Sequence, residues 1–394
     1  MQCGAFAILA QNAPEWGPAT LLNEAQFTMA REGLLEEPRK IMVRATNWIG
    51  DAVLSLPALE ALRARFPEAG IVLVSKPWVS AVYRHQPAID RQIIYDPKGE
   101  HRGASGFSKL IRQLREERFD AAVLFQNAFQ AAWMAWRAEI PIRIGYARDG
   151  RTRLLTSALE VPPPAVYGHQ AYYYLQLLFR AGIISRPEPP RPLEAVRLVV
   201  QPDEKNWAVR RLESLGLHGP RFLIGIVPGA SFGLAKRWPA ERFAELADRL
   251  IAALNADVLI FGSEAERSLA DEVAQAMEHT PVVVAGETTL RQAMALFEHC
   301  RLVVTNDSGP MHAASALALP VVAVFGSTDA VATGPFGPCS RVVQNLVACS
   351  PCGLRACPID FRCMEGLSVA AVYRAALELV KQLGVTHDRP ARPH

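Results

Sequence analysis

Short runs of β-branched and other apolar residues alternate along this chain with longer stretches of helical apolar spacing. Runs at 41–46, 71–74, 93–95, 121–125 and 142–146 read as buried strands. Between them, Leu54, Leu56, Leu59, Leu62 and Phe66 mark one helix and residues 107–117 another. Pro57 must lie near the start of the first helix or kink it. The aromatic-rich segment 169–181 is helical, and 184–202 carries Pro187, Pro189, Pro190, Pro192 and Pro202. Such a stretch is a stiff linker and a domain boundary. The alternation then restarts. Strands are predicted at 222–227, 258–261 and 282–284, in the short apolar run that opens at Leu302, and at 321–325, with helices from Pro239 to Ala253 and over 264–277, 290–299 and 369–383.

Strands that alternate with helices predict an α/β protein with parallel sheets covered on both faces. The resulting division is 1–38 as a flexible N-terminal extension, 39–184 as a first doubly wound domain, 185–204 as linker, 205–366 as a second such domain, and 367–394 as a terminal helix and tail. Ligands in such sheets bind beyond the carboxyl ends of the strands, and two halves facing one another would put a cleft between them.

Composition narrows the picture. Half of the 394 residues are hydrophobic and 21% are charged, which suits two ordinary cores. Lys plus Arg number 42 against 39 Asp plus Glu, a formal charge of +3, so no global electrostatic case for nucleic acid arises. No apolar run reaches membrane-spanning length. Residues 1–38 show little periodicity and no basic region ahead of an apolar core, so they do not read as a signal peptide. They are an extension outside the fold, or translation starts nearer Met29 or Met42. Without export the compartment is reducing, and the seven Cys are not presumed to form disulfides.

The candidate chemistry sits where predicted strands run into helices. Leu302 to Ala316 reads as strand, small-residue turn and helix, with Asn306, Asp307, Ser308 and Gly309 in the turn and Pro310 in the first helical turn. An exposed helix N-terminus of this kind favours a phosphate; the ordinary alternative is a βα turn capped by Asp307 or Ser308. Asp51, after the first strand, is either a carboxylate able to accept a proton or the N-cap of the next helix. The loop 227–239 carries three small residues and the adjacent cations Lys236 and Arg237, either for a phosphate or simply solvated. Glu264 and Glu266, after another strand, either hold a ribose diol or complement a helix dipole. Cys349, Cys352, Cys357 and Cys363 form a C-x2-C-x4-C-x5-C cluster, read as a structural zinc site, free thiols or a disulfide pair. No Walker A lysine pattern, G-x-G-x-x-G, H-E-x-x-H or G-x-S-x-G occurs.

Taken in order, several motifs resemble the ADP-heptose:lipopolysaccharide heptosyltransferases of glycosyltransferase family 9, the heptosyltransferase II type. They are Trp48-Ile49-Gly50-Asp51, Asn127-Ala128-Phe129, the segment 140–146, Pro228-Gly229-Ala230 with Phe232-Gly233 and residues 235–239, the turn 306–314, Phe325-Gly326-Ser327-Thr328, and Cys349-Ser350-Pro351-Cys352. The resemblance spans residues 40–384. It departs in two places: no His stands between the third and fourth Cys of the cluster, and the N-terminal extension has no counterpart.

The resemblance implies a glycosyltransferase-B fold, with acceptor on the N-terminal Rossmann-like domain and nucleotide sugar on the C-terminal one. It implies inverting transfer of L-glycero-D-manno-heptose from ADP-heptose to the inner-core heptose of lipopolysaccharide. That reaction takes place at the cytoplasmic face of the inner membrane, with peripheral contact, no cofactor and no catalytic metal. By motif, Asp51 is the general base, Lys236 the cation on the donor phosphate, and Asp307, Ser308, Gly309 and His312 the diphosphate turn. Ala230 and Ser231 count with the donor-binding residues. Glu266, with Glu264 as rival, matches the ribose contact, and Thr288 a residue beside adenine. Lys76, Arg84, Arg102, Lys109 and Arg143 are candidates to face an anionic glycolipid acceptor. The rival functions are a nucleotide-sugar epimerase or hydrolase, and a non-catalytic sugar-binding protein.

Overall fold

The computed structural model describes residues 7–11, 35–219 and 222–384. They form two compact units; one ends at Leu193, and the other runs from Glu194 onward and includes Ala7–Gln11. In chain order, β1 is Ala7–Gln11. The first unit then supplies β2 (Lys40–Arg44), β3 (Gly70–Ser75), β4 (Arg91–Ile94), β5 (Ala121–Leu124), β6 (Ile142–Tyr146) and β7 (Ser157–Leu159). They lie in the order β4-β3-β2-β5-β6-β7, all parallel. The second unit supplies β8 (Phe222–Val227), β9 (Ala256–Ile260), β10 (Val282–Val283), β11 (Leu302–Asn306), β12 (Val321–Phe325) and β13 (Ser340–Asn345). Their order is β1-β13-β12-β11-β8-β9-β10, again all parallel.

Parallel neighbours need a crossover, and helical crossovers cover both faces of the sheet, so the inner strands must be apolar throughout. β8, β11 and β12 accordingly are buried at every position. Over one face of the second sheet pack the helices Ala240–Leu254 and Val369–Gln382. Phe243, Leu250, Val372 and Leu379 share one core with Ile224, Ile226, Val304 and Val322. Trp238 closes that core at the strand ends, edge-on to Phe243 at 5.1 Å, its Nε1–H donating to the Leu367 carbonyl at 3.0 Å.

In each sheet one inner strand has its successor on one side and a later strand on the other: β2 lies between β3 and β5, and β8 between β9 and β11. At such a reversal the connecting segments leave toward opposite faces, which opens a crevice at the carboxyl ends.

The structure differs from the sequence reading in several elements. The helix around Leu54–Phe66 is two helices, Ile49–Leu54 and Leu56–Arg65, broken at Ser55, with Pro57 in the first turn of the second. The segment 264–277 opens with a 3-10 turn, Glu264–Glu266, before the helix Arg267–Ala276. The helix Pro202–Ser214 begins inside the stretch read as linker; Glu204 caps it by accepting the Gln201 N–H at 2.9 Å. The strand β13 was not expected. Nor was β1, because residues 1–38 were placed outside the fold. Ala7–Gln11 instead add to the sheet edge, pairing with Arg341 to Asn345, whose open backbone groups accept a further strand. Residues 1–6 and 12–34 of that extension, and 385–394 of the tail, lie outside the described residues. Cys339 is disulfide-bonded, against the expectation for the cysteines, while Cys300 and the four of the cluster are free thiols.

Trp238→Ala is expected to destabilise the second unit by about 3–5 kcal/mol, the range for emptying a buried aromatic site. Denaturant titration checks this, and a loss below about 1 kcal/mol would show that Trp238 does not anchor the strand ends.

Candidate functional site

The reversal between β8 and β11 is closed by one side chain. Asn306, the last residue of β11, is fully buried. Its Nδ2 donates to the Pro228 carbonyl at 2.7 Å, and its Oδ1 accepts the Trp238 N–H at 3.1 Å. One amide therefore pins both ends of the loop that follows β8. That loop carries Lys236, whose Nζ lies 2.5 Å from Asp307 Oδ2. The Thr328 hydroxyl, from the end of β12, donates to the same oxygen at 2.5 Å. Asp307 is 4% exposed, so a carboxylate there needs these partners. The Lys236 ammonium also sits 4.7 Å from the centre of the Phe232 ring.

Next comes the helix Gly309–Ala316, with Ser308 as its N-cap residue and Pro310 in its first turn. Of the two expected caps, Ser308 holds the position, but its side chain makes no capping bond. Its Oγ lies instead 3.2 Å from Thr305 Oγ1. The first turn therefore keeps N–H donors and the positive dipole end beside the Lys236–Asp307 pair. His312 is buried in that helix. Ala230 is buried and Ser231 exposed in the loop after β8.

Glu266 Oε2 accepts the Ser263 N–H at 2.9 Å and the Ser263 hydroxyl at 2.7 Å. It also lies against the loop after β8: a Cβ on Gly229 would stand 2.2 Å from Glu266 Oε1, so a side chain there would push the carboxylate aside. Glu264 faces the other way, toward Gly286. The structure thus brings Glu266, rather than Glu264, to the loop that holds Lys236. Thr288 follows β10 at the far edge of the sheet and makes no side-chain hydrogen bond among the described residues; Thr289 beside it caps the next helix.

In the first unit, Asp51 sits in the first turn of Ile49–Leu54, and the N-cap is Trp48, so the capping alternative for Asp51 is not realised. The buried phenol of Tyr83 is raised chiefly by burial, with the Asp51 charge adding to it. Tyr174 is raised for the same two reasons. Below this turn, the Arg44 guanidinium is 1% exposed and donates to the carbonyls of Ala45 and Val74 and to Asn47 Oδ1. Burial lowers it to about 10. Lys76, at the end of β3, is lowered by burial and then by repulsion from Arg44 and Lys98. The Asp96 carboxylate nearby is occupied by the N–H groups of Lys98 and Gly99.

Among the basic residues proposed to meet an anionic acceptor, two are otherwise engaged. Lys109 is paired with Glu100 at 2.5 Å. Arg143 spends its guanidinium on the carbonyls of Ile140, Pro141 and Leu154. Lys76, Arg84 and Arg102 carry no ion pair among the described residues.

The cysteine cluster follows β13. Cys349 and Cys352 are exposed, Cys357 half-buried and Cys363 buried. The described residues contain no group of three or more His, Cys, Asp or Glu that could hold a metal ion. Backbone N–H groups of Ile359 and Phe361 lower the Cys357 thiol, whereas burial raises Cys363.

The family model described as "Glycosyltransferase family 9 (heptosyltransferase)" matches residues 107–361. The chain is 33% identical over 315 residues to lipopolysaccharide heptosyltransferase 2 of Escherichia coli (strain K12), covering 78% of this chain and 88% of that protein. The solved structure of E. coli ADP-heptose lps heptosyltransferase II aligns with a TM-score of 0.75 at 30% identity, over 88% of this chain and 99% of that one. A glycosyl transferase family 9 structure from Veillonella parvula DSM 2008 aligns with a TM-score of 0.78 at 25% identity, over 87% and 98%.

Lys236→Met strands a buried carboxylate and should destabilise the second unit by about 3 kcal/mol, while Lys236→Met with Asp307→Asn should recover most of that loss. Denaturation midpoints of the two variants decide it: equal losses would mean that the pair is not coupled.

Proposed function

The chain belongs to glycosyltransferase family 9, the heptosyltransferases, and from that premise we propose that it moves L-glycero-D-manno-heptose from ADP-heptose to the inner-core heptose of lipopolysaccharide. The observation that carries the donor assignment is the Lys236–Asp307–Thr328 arrangement at the β8/β11 reversal, beside a helix N-terminus that Ser308 leaves uncapped. A diphosphate there would meet an ammonium, backbone N–H groups and a helix dipole. Ala230, Ser231, Gly309 and His312 belong to the same strand ends and are assigned to the donor with them. Glu266, held against Gly229, suits a ribose diol, because a carboxylate can accept two hydroxyl protons. Thr288 is kept as the residue beside adenine on motif alone.

The chemistry is a displacement at the anomeric carbon through an oxocarbenium-like state. The acceptor hydroxyl oxygen bonds to that carbon as its proton passes to the Asp51 carboxylate. The bond from carbon to the diphosphate oxygen breaks, and ADP leaves with an added negative charge. Fixed donors aimed at that charge lower the barrier without reorganising. The donors for the leaving group are the Lys236 ammonium and backbone N–H groups.

An anionic acceptor is supported by Arg44, Lys76 and Lys98. They stand at or beyond the ends of three adjacent strands, Arg44 and Lys98 both repel Lys76, and none of the three has a carboxylate partner among the described residues. Arg84 and Arg102 extend the basic character of this unit. No helix among the described residues is long and apolar enough to cross a membrane. We infer peripheral contact at the cytoplasmic face of the inner membrane, through the glycolipid and these cations.

Asp51→Asn should lower turnover by at least ~100-fold, the scale of a lost general base, with ADP affinity unchanged. The assay incubates wild type and variant with ADP-heptose, with and without a heptose-bearing core acceptor, and calorimetry follows ADP. Product that forms without acceptor would replace transfer by hydrolysis or epimerisation. A parallel loss of ADP affinity and turnover would remove Asp51 from the role of base.

A further inference from the structure

The cysteine-rich segment after β13 has no role in the reaction described so far, yet it is fastened to the donor site. The Gly353 N–H donates to the Ser327 carbonyl at 2.7 Å, and the Ser350 hydroxyl to the Gly326 carbonyl at 2.5 Å, both at the end of β12. Farther along, the Arg355 carbonyl accepts the Ala235 N–H at 3.1 Å, in the loop after β8. A Cβ on Gly233 would stand 2.2 Å from that carbonyl, so glycine is required for the contact. Because β11 lies between β12 and β8, a segment tied to both strand ends is tied on either side of Asp307.

These ties set the Arg355 side chain beside Lys236. Its guanidinium carbon lies 5.1 Å from the centre of the Phe232 ring, the same ring that the Lys236 ammonium approaches at 4.7 Å. The two cations differ in one respect. Lys236 is neutralised by Asp307, whereas Arg355 forms no ion pair among the described residues. The donor's diphosphate carries a negative charge on each phosphate group, and the departing ADP gains another. The Lys236–Asp307 pair has no net charge with which to balance them. A cation–π contact at an exposed site is weak, so the guanidinium can turn from the ring to an anion at little loss. Its planar fork suits two phosphate oxygens at once.

We propose that Arg355 is a further binding residue for the diphosphate of the nucleotide-sugar donor, brought to Lys236 and Phe232 by the cysteine-rich segment. The proposal rests on the donor reading given above and adds a residue to it.

Arg355→Gln tests the side chain while keeping the main-chain tie to Ala235. With full-length protein, a fluorescent ADP is displaced by ADP and, separately, by adenosine. Arg355→Gln is expected to weaken ADP about 10-fold, the effect of one lost charged contact. Adenosine should compete as it does against wild type, and Arg355→Lys should fall between. Unchanged ADP affinity in Arg355→Gln would overturn the proposal. So would equal weakening of ADP and adenosine, which would make Arg355 a prop for the loop rather than a phosphate contact. Wild type that binds ADP through Arg355 but transfers no heptose would overturn the transfer reading and leave this one standing.

Discussion

The constraint on which the second unit depends is that its buried backbone groups at the β8/β11 reversal must find partners inside the protein. Between these strands the sheet changes its direction of growth, and no ladder bond can bridge the diverging loops. The amide of Asn306 does so instead, with one donor for Pro228 and one acceptor for Trp238. A buried N–H or carbonyl left unmatched costs about 1–3 kcal/mol, so one residue offsets two such penalties. The consequence reaches the chemistry. Fixing both ends of the loop fixes Lys236 against Asp307, and the tryptophan tied at one end is the cap of the hydrophobic core. Core, loop and ion pair are therefore one mechanical object.

The first unit solves a related problem with charge. Arg44 lies beneath the turn that leads to Asp51 and gives its donors to carbonyls and to Asn47 rather than to a carboxylate. Asn47 in turn accepts from Trp78 through its own carbonyl, at 2.8 Å. A buried guanidinium thereby stiffens the turn and adds positive potential without a neutralising partner. On the far side of this sheet's reversal, Arg151 works in the same manner on Gln126, Asn127 and Tyr146. Both cations are pulled down to about 10 by burial.

What could be read from the residues followed from locality. Val303-Val304 and Val321-Val322 announce buried parallel strands because their branched side chains suit a sheet covered on both faces. The turn Asp307-Ser308-Gly309-Pro310 announces a helix start because each residue type answers a backbone need within a few positions. The elements missed are those whose reasons lie elsewhere in the chain. β13 carries Ser340, Arg341 and Gln344, which break the apolar run, and it becomes a strand beside β12. The helix Pro202–Ser214 did show its signature, Gln201 and Glu204, but the surrounding prolines outweighed it. At the site, Asn306 was read as a local turn former, and nothing near it in sequence points to Pro228 or Trp238. Lys109 and Arg143 illustrate the converse: as bare letters they look like free cations, and only the fold reveals Glu100 and the carbonyls that occupy them.

The strand Ala7–Gln11 has a consequence for how the polypeptide behaves in company. In its place, β13 is an interior member of the sheet; without it, β13 becomes a terminal ribbon with a free row of amides and carbonyls. A polypeptide begun at Met29 or Met42 would expose that ribbon, and bare parallel borders recruit strands from neighbouring molecules. The strand Ala7–Gln11 is thus positioned to keep one copy from annealing to the next.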